Sequence, residues 1–201
     1  MRKVREGDYL DFEDALSNAM NEEKTHYFGF TTLSERFVFL KFIFRSCKQI
    51  KIYSNDISMF SQIKKNQLSS ELKDNAEIVY STFVDSIRSY FDKENKLELL
   101  VDNIEDDFQN SFSEELSSLF KDNYSNGRLV ISRRNEDYEA IKDLNHFIVS
   151  PDKNIICFEH KDQDLQVCIT KNSDICSKAQ RVFDMFMRLS SEQNMISFDN
   201  D

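Results

Sequence analysis

Five side chains could do chemistry at the ends of strands: Asp56, Asp102, Arg133, Arg134 and His146. The first four follow short apolar runs that read as β-strands over 49–54, 96–102 and 128–133. His146 opens another such run over 146–150. In an open α/β sheet, ligands collect beyond the carboxyl ends of the parallel strands. Two aspartates on neighbouring strand ends, Asp56 and Asp102, could hold a divalent cation. The plainer and preferred reading is that Asp56 caps a helix and Asp102 starts a loop. Arg133 and Arg134 could clamp a phosphate or a carboxylate. They could also pair with Glu136, Asp137 or the acidic run Glu105-Asp106-Asp107. His146 is the candidate nucleophile.

Other constellations are weaker. His26 sits between Thr25 and Tyr27 with no second His or Cys close by. Cys47, Cys157, Cys168 and Cys176 lack the two- or three-residue spacing of a metal site. They read as reduced core thiols, which places the protein in the cytoplasm. With 3 Gly in the chain, a nucleotide-binding loop has no material to form. No cofactor is expected.

Those side chains need a frame, and the composition supplies one. The 201 residues suit one domain, and 40% are hydrophobic, with 18 Phe. The net charge of −10 disfavours nucleic acid as a partner, because phosphate binding rests on cations. The apolar run from Phe37 to Phe44 is broken by Lys41 and falls far short of the roughly 20 residues of a membrane span. The N-terminus turns acidic before any apolar stretch, so no signal peptide is expected.

The pattern predicts alternating strands and helices. Ser34 reads as the N-cap of a helix over 35–48 that is apolar on most of its circumference, and hence buried. Ile50 and Ile52 alternate with Lys51 and Tyr53 in the strand that follows. Ile57, Phe60 and Ile63 predict a short helix face, and residues 66–76 a loop or frayed end. Tyr80, Phe83, Val84, Ile87, Tyr90 and Phe91 recur at helical spacing. Ser111 and Glu114 have the spacing of a capping box. Strands over 146–150, 154–160 and 164–170 end the sheet, and Ser173 caps a last amphipathic helix. The fold class is α/β: a mostly parallel mixed sheet flanked by helices, with antiparallel strands and a closing helix at the C-terminus. Residues 1–33 form an N-terminal arm, 34–191 the domain, and 192–201 a disordered tail.

Two stretches are left over by a single core. The arm carries Tyr9, Phe12, Tyr27 and Phe28, aromatics that anchor well when desolvated against another chain. Asp102, Glu105, Asp106 and Asp107 carry charge that could steer a basic partner. The expectation is association with another protein or with a second copy, without a membrane.

The order of elements from about Ser34 to Ser191 resembles one half of the phospholipase D-like fold. A helix leads into Ile50-Lys-Ile-Tyr-Ser, a second strand ends at Asp102, and a His-containing strand pair follows. The chain then closes through Lys171-Asn-Ser-Asp174 into a helix bearing Phe183-Asp184. Small bacterial proteins of unknown function built on this half-domain look similar. The active family carries His-x-Lys-x4-Asp followed by Gly-Ser. Its His attacks phosphorus and its Lys neutralises the phosphoryl oxygens, at a site made by two halves. Here His146 fits the His position, Ile148 stands where Lys is required, and Lys153 stands at the Asp position with Asp152 one place short. No Gly-Ser follows, and His160-Lys161-Asp162 has the wrong spacing. The resemblance implies a non-catalytic interaction or scaffold subunit of a bacterial assembly, a defence or mobile-element system being one such setting. The alternative is an enzyme acting on a phosphodiester or nucleotide through Asp56, Asp102, Arg133 and His146.

Overall fold

Helices cover both faces of the strand at residues Gln49–Ser54, and that burial organises the molecule. A computed structural model describes residues 6–30, 32–103, 111–134, 145–159, 165–170 and 172–190, with side chains for all of these except 6–10, 159 and 165–168. The elements in chain order are α1 (Glu6–Asn21), β1 (His26–Gly29), α2 (Leu33–Ser46), β2 (Gln49–Ser54), α3 (Gln62–Leu72), α4 (Ala76–Asp92) and β3 (Lys96–Val101). They continue with α5 (Glu114–Ser125), β4 (Leu129–Arg133), β5 (Phe147–Ser150), β6 (Ile155–Glu159), β7 (Leu165–Ile169) and α6 (Ser173–Leu189).

One sheet runs in the order β1-β7-β6-β5-β2-β3-β4. The pairings β2–β3 and β3–β4 are parallel, and the other four are antiparallel. Parallel order is thus confined to one end of the sheet. The reason is connectivity: helices return the chain from β2 to β3 and from β3 to β4, whereas only a few residues separate β5 from β6 and β6 from β7.

The two faces carry separate cores. On one face α1 to α5 enclose Phe37, Phe83, Phe91, Leu97, Leu116 and Phe120 with their neighbours. On the other, α6 packs Cys176, Phe183 and Phe186 onto Tyr53, Leu100, Phe147 and Ile156. Burying each such large apolar side chain is worth roughly 1.5–3 kcal/mol. Lys51 and Tyr53, on the α6 face of β2, are as buried as Ile50 and Ile52.

Several local expectations shift. The N-cap of α2 is Thr32, which forms a capping box with Glu35. The Ser34 hydroxyl instead donates to the Glu71 carboxylate, which also accepts the N–H groups of Leu33 and Ser34. Ser113 caps α5 and Asn172 caps α6, each one or two residues from the expected position. The cap must be the residue with extended backbone angles, and neighbouring Ser, Thr and Asn compete for it. Helix α3 extends to Leu72, into the stretch expected to be a loop or frayed helix end, anchored by fully buried Leu68, while Ile63 is 65% exposed and lies off the predicted face.

The N-terminal segment belongs to the same body. Leu16, Ala19 and Phe30 lie in the larger core, and β1 pairs with β7 at the sheet edge. The expected division at residue 33 therefore falls within one core. Residues 192–201 lie outside the described residues. Among those described, no helix is long and apolar enough to cross a membrane.

Candidate functional site

Register brings the candidate residues to one end of the sheet. Ser54 pairs with Val101, Val101 with Arg133, and Tyr53 with Phe147. Asp102, Arg134 and His146 therefore each lie one residue beyond a strand end, on the same edge. Backbone bonds lock that edge: Asp102 N–H donates to Ser54 at 3.1 Å and Arg134 N–H donates to Val101 at 2.7 Å.

Asp102 is the hub. Its Oδ1 lies 2.5 Å from Arg134 Nε, and its Oδ2 lies 3.0 Å from His146 Nε2. The Tyr53 hydroxyl donates to the same carboxylate, at 3.0 and 3.2 Å from its two oxygens. The Arg134 guanidinium lies 5.8 Å from the Tyr53 ring centroid, and the His146 ring meets that ring edge-on at 5.0 Å. Burial pushes the Asp102 carboxyl up, but the hydrogen bonds from His146 and Tyr53 and the charge of Arg134 outweigh burial and hold it below the usual carboxylate range. Burial and the adjacent carboxylate push the Tyr53 phenol up. Asp102 is thus an ionised acceptor, so His146 Nε2 carries the proton between them.

The other candidates separate. Asp56 Oδ1 accepts the N–H of Ser58 at 2.8 Å, which ties it to the start of the 3₁₀ turn Ser58–Phe60. Asp56 and Asp102 thus have separate duties. Among the described residues no three His, Cys, Asp or Glu side chains gather as a metal site requires. Arg133 is the half-buried last residue of β4, and the pair with Asp102 is made by Arg134. Glu105, Asp106, Asp107, Glu136 and Asp137 lie outside the described residues. Of the expected partner aromatics, Phe12 and Phe28 pack edge-to-face and lie against the larger core. Tyr27 is 76% exposed, and the Tyr9 side chain is not described.

A cavity of about 80 Å³ opens beside His146 on the α2 face. Its polar residues include Arg36, Tyr53, Ser54, Asp56 and His146, around the carboxyl end of β2. Deeper, the wall is apolar: Ile52, Leu99, Ile148 and Cys157 from the sheet, with Leu40 and Phe60 from the layer above. Ile148 stands where the phospholipase D pattern places Lys.

Three features escape a reading of the sequence. Tyr53 completes the Asp102 group, a role that needs β2 to sit between β3 and β5. Lys51 is 5% exposed, with Nζ 2.6 Å from Glu98 Oε2 and 2.8 Å from Asp184 Oδ1. Asp152, off register for the motif, accepts the N–H groups of Lys48 and Gln49 at 3.1 and 3.3 Å. A charged residue between two apolar ones in a strand covered on both faces is the signal that could have found Lys51.

No protein-family model matches the sequence, and no curated protein matches it. Solved structures do share its architecture. One is TrmBL2, an archaeal chromatin protein with a novel mode of DNA binding, at TM-score 0.50 and 9% identity. The match covers 90% of this chain and 57% of that one, so the chain spans little more than half the chromatin protein's length. Another is Nuc, a phospholipase D family member from Salmonella typhimurium, at TM-score 0.50 and 9% identity, over 84% of this chain and 96% of that one. At such identity the likeness is one of architecture, and the chain has a phospholipase D-like fold.

Proposed function

We propose that this is a non-catalytic phospholipase D-like protein that works by binding, as an interaction subunit of a protein assembly. The observation that carries this reading is Ile148. Phosphoryl transfer needs a cation beside the attacking His to neutralise developing charge. Ile148 puts an apolar wall there; Arg134 is already paired with Asp102, and Arg36, which lines the same cavity, shares it with the Asp56 carboxylate. The partner surface on this reading includes Tyr27, exposed on edge strand β1. Exposed aromatics on an unshared strand edge suit a protein contact.

The test is hydrolysis of bis-p-nitrophenyl phosphate and of single- and double-stranded DNA, with and without Mg²⁺, by the purified chain. The expected result is no turnover above background. Turnover that disappears in His146→Ala would overturn the reading. DNA binding belongs to the chromatin neighbour, and the net charge of −10 speaks against carrying it over.

A second reading has one observation in its favour: His146 is oriented by a carboxylate, as a nucleophilic or basic His must be. On that reading the protein acts on a phosphodiester or nucleotide, and the same assay decides between the two.

A further inference from the structure

The cavity beside His146 has a composition that a phosphoryl site would not need. Its deep wall is made by Ile52, Leu99, Ile148, Cys157 and Leu40. Its mouth is polar but electrically balanced. Arg36 and Asp56 supply one charge of each sign, and Asp102 behind His146 is matched by Arg134. Neither a phosphate nor a cation finds an unmatched countercharge there, and an unmatched charge brought into such a space costs far more than it gains.

The dimensions limit the occupant. A single water needs roughly 10–15 Å³ on this measure. A space of about 80 Å³ is smaller than the roughly 150 Å³ of a closed cavity that takes benzene, so it seats one edge of a ring or a short branched chain and leaves the rest at the open side. Water gains little against the apolar part of such a lining, which favours an apolar group there.

We propose that this cavity is a binding site for a small uncharged molecule with an apolar body and one hydrogen-bonding group. The body lies against Ile52, Leu99 and Ile148. The polar group faces the end lined by Ser54, Asp56 and His146. This goes beyond an interaction role, because the cavity is lined by α2 and the 55–60 segment together with four strands. The binding readout below is independent of phosphodiesterase activity, so the two proposals fail separately.

The experiment is methyl NMR on the full chain, titrated with phenol, benzene and phenyl phosphate. Phenol is expected to shift the methyls of Ile52, Ile57 and Ile148 along one saturable curve. Benzene, lacking the polar group, is expected to bind about tenfold more weakly, the usual worth of one hydrogen bond. Phenyl phosphate is expected to leave those methyls unmoved. Ile148→Phe fills the cavity and should abolish the phenol response, with Ile156 on the opposite face reporting an intact fold. Leu40→Phe is the second filling variant should the first not fold. Silence of these methyls towards phenol, or phenol and benzene binding equally, would overturn the proposal. So would an undiminished phenol response in a folded filled variant. Phenyl phosphate binding there as tightly as phenol would also overturn it, in favour of a phosphate site.

Discussion

His146 Nε2 and Asp102 Oδ2 meet at 3.0 Å although a whole strand separates the strands that carry them. Asp102 follows β3 and His146 precedes β5, and β2 runs between. The contact closes over the end of β2, where Tyr53 adds its own hydrogen bond. The Asp102 carboxylate therefore ties three strands and, through Arg134, the edge strand β4.

Removing that carboxylate should loosen all four. Asp102→Asn is expected to cost roughly 1–3 kcal/mol near neutral pH, since it removes the charge facing the guanidinium and turns one of the two acceptor oxygens into a donor facing Tyr53 or His146. The pH dependence has a defined sign. The folded carboxyl sits below its ordinary 3.8, so its contribution is present above that value and is lost as the pH falls through the lower folded value. Urea melts at pH 7 and below pH 4 should show the variant's deficit shrinking on acidification.

Lys51 makes the opposite prediction at high pH. Burial opposes its charge, but Asp184 and Glu98 outweigh burial and lift it above its ordinary 10.5. Its contribution is complete below that value and lost as the pH rises through the higher folded value. Lys51→Met is expected to cost roughly 2–3 kcal/mol at neutral pH, discounted because Asp184 is 38% exposed. Adding Glu98→Gln should cost less than the two changes summed, measured as a double-mutant cycle.

Tyr90 is buried in α4 and its hydroxyl lies 2.5 Å from the Lys96 carbonyl and 3.1 Å from that of Lys48. It fastens the starts of β3 and β2 to one helix. Tyr90→Phe keeps the ring and should cost roughly 1–2 kcal/mol in equilibrium unfolding, the loss of a buried hydrogen bond.

Tyr27 should behave differently. With 76% of its surface exposed, Tyr27→Ser should change folding stability by less than about 0.5 kcal/mol. On the binding reading it should lower assembly mass by light scattering, or partner recovery in a pull-down. Unchanged mass and unchanged recovery would remove β1 from the partner surface.

Strand positions were legible because apolar runs of five or six residues bounded by polar ones have few other uses. The expected strand at 49–54 matches β2, and those at 96–102 and 154–160 overrun β3 and β6 by a residue or two. Asp102, Arg134 and His146 were each legible as strand-end residues, for unrelated reasons. Their meeting was not, because it depends on β5 entering beside β2, which no local pattern encodes. Lys51 and Tyr53 look like the wet face of a strand, and only the docking of α6 makes that face dry. The place of β1 was hidden for the same reason: its partner lies about 140 residues away, at Leu165–Ile169.

That last pairing sets an order on how the molecule can be built. A ribosome releases His26–Gly29 early, with Phe28 and Phe30 alongside, and β7 long afterwards. Until residue 169 has left the exit tunnel, β1 has no strand to join. β1 therefore stays without its strand partner while β2 to β6 assemble, held in that interval by Phe28 and Phe30 against Phe12 of α1 and Phe39 of α2.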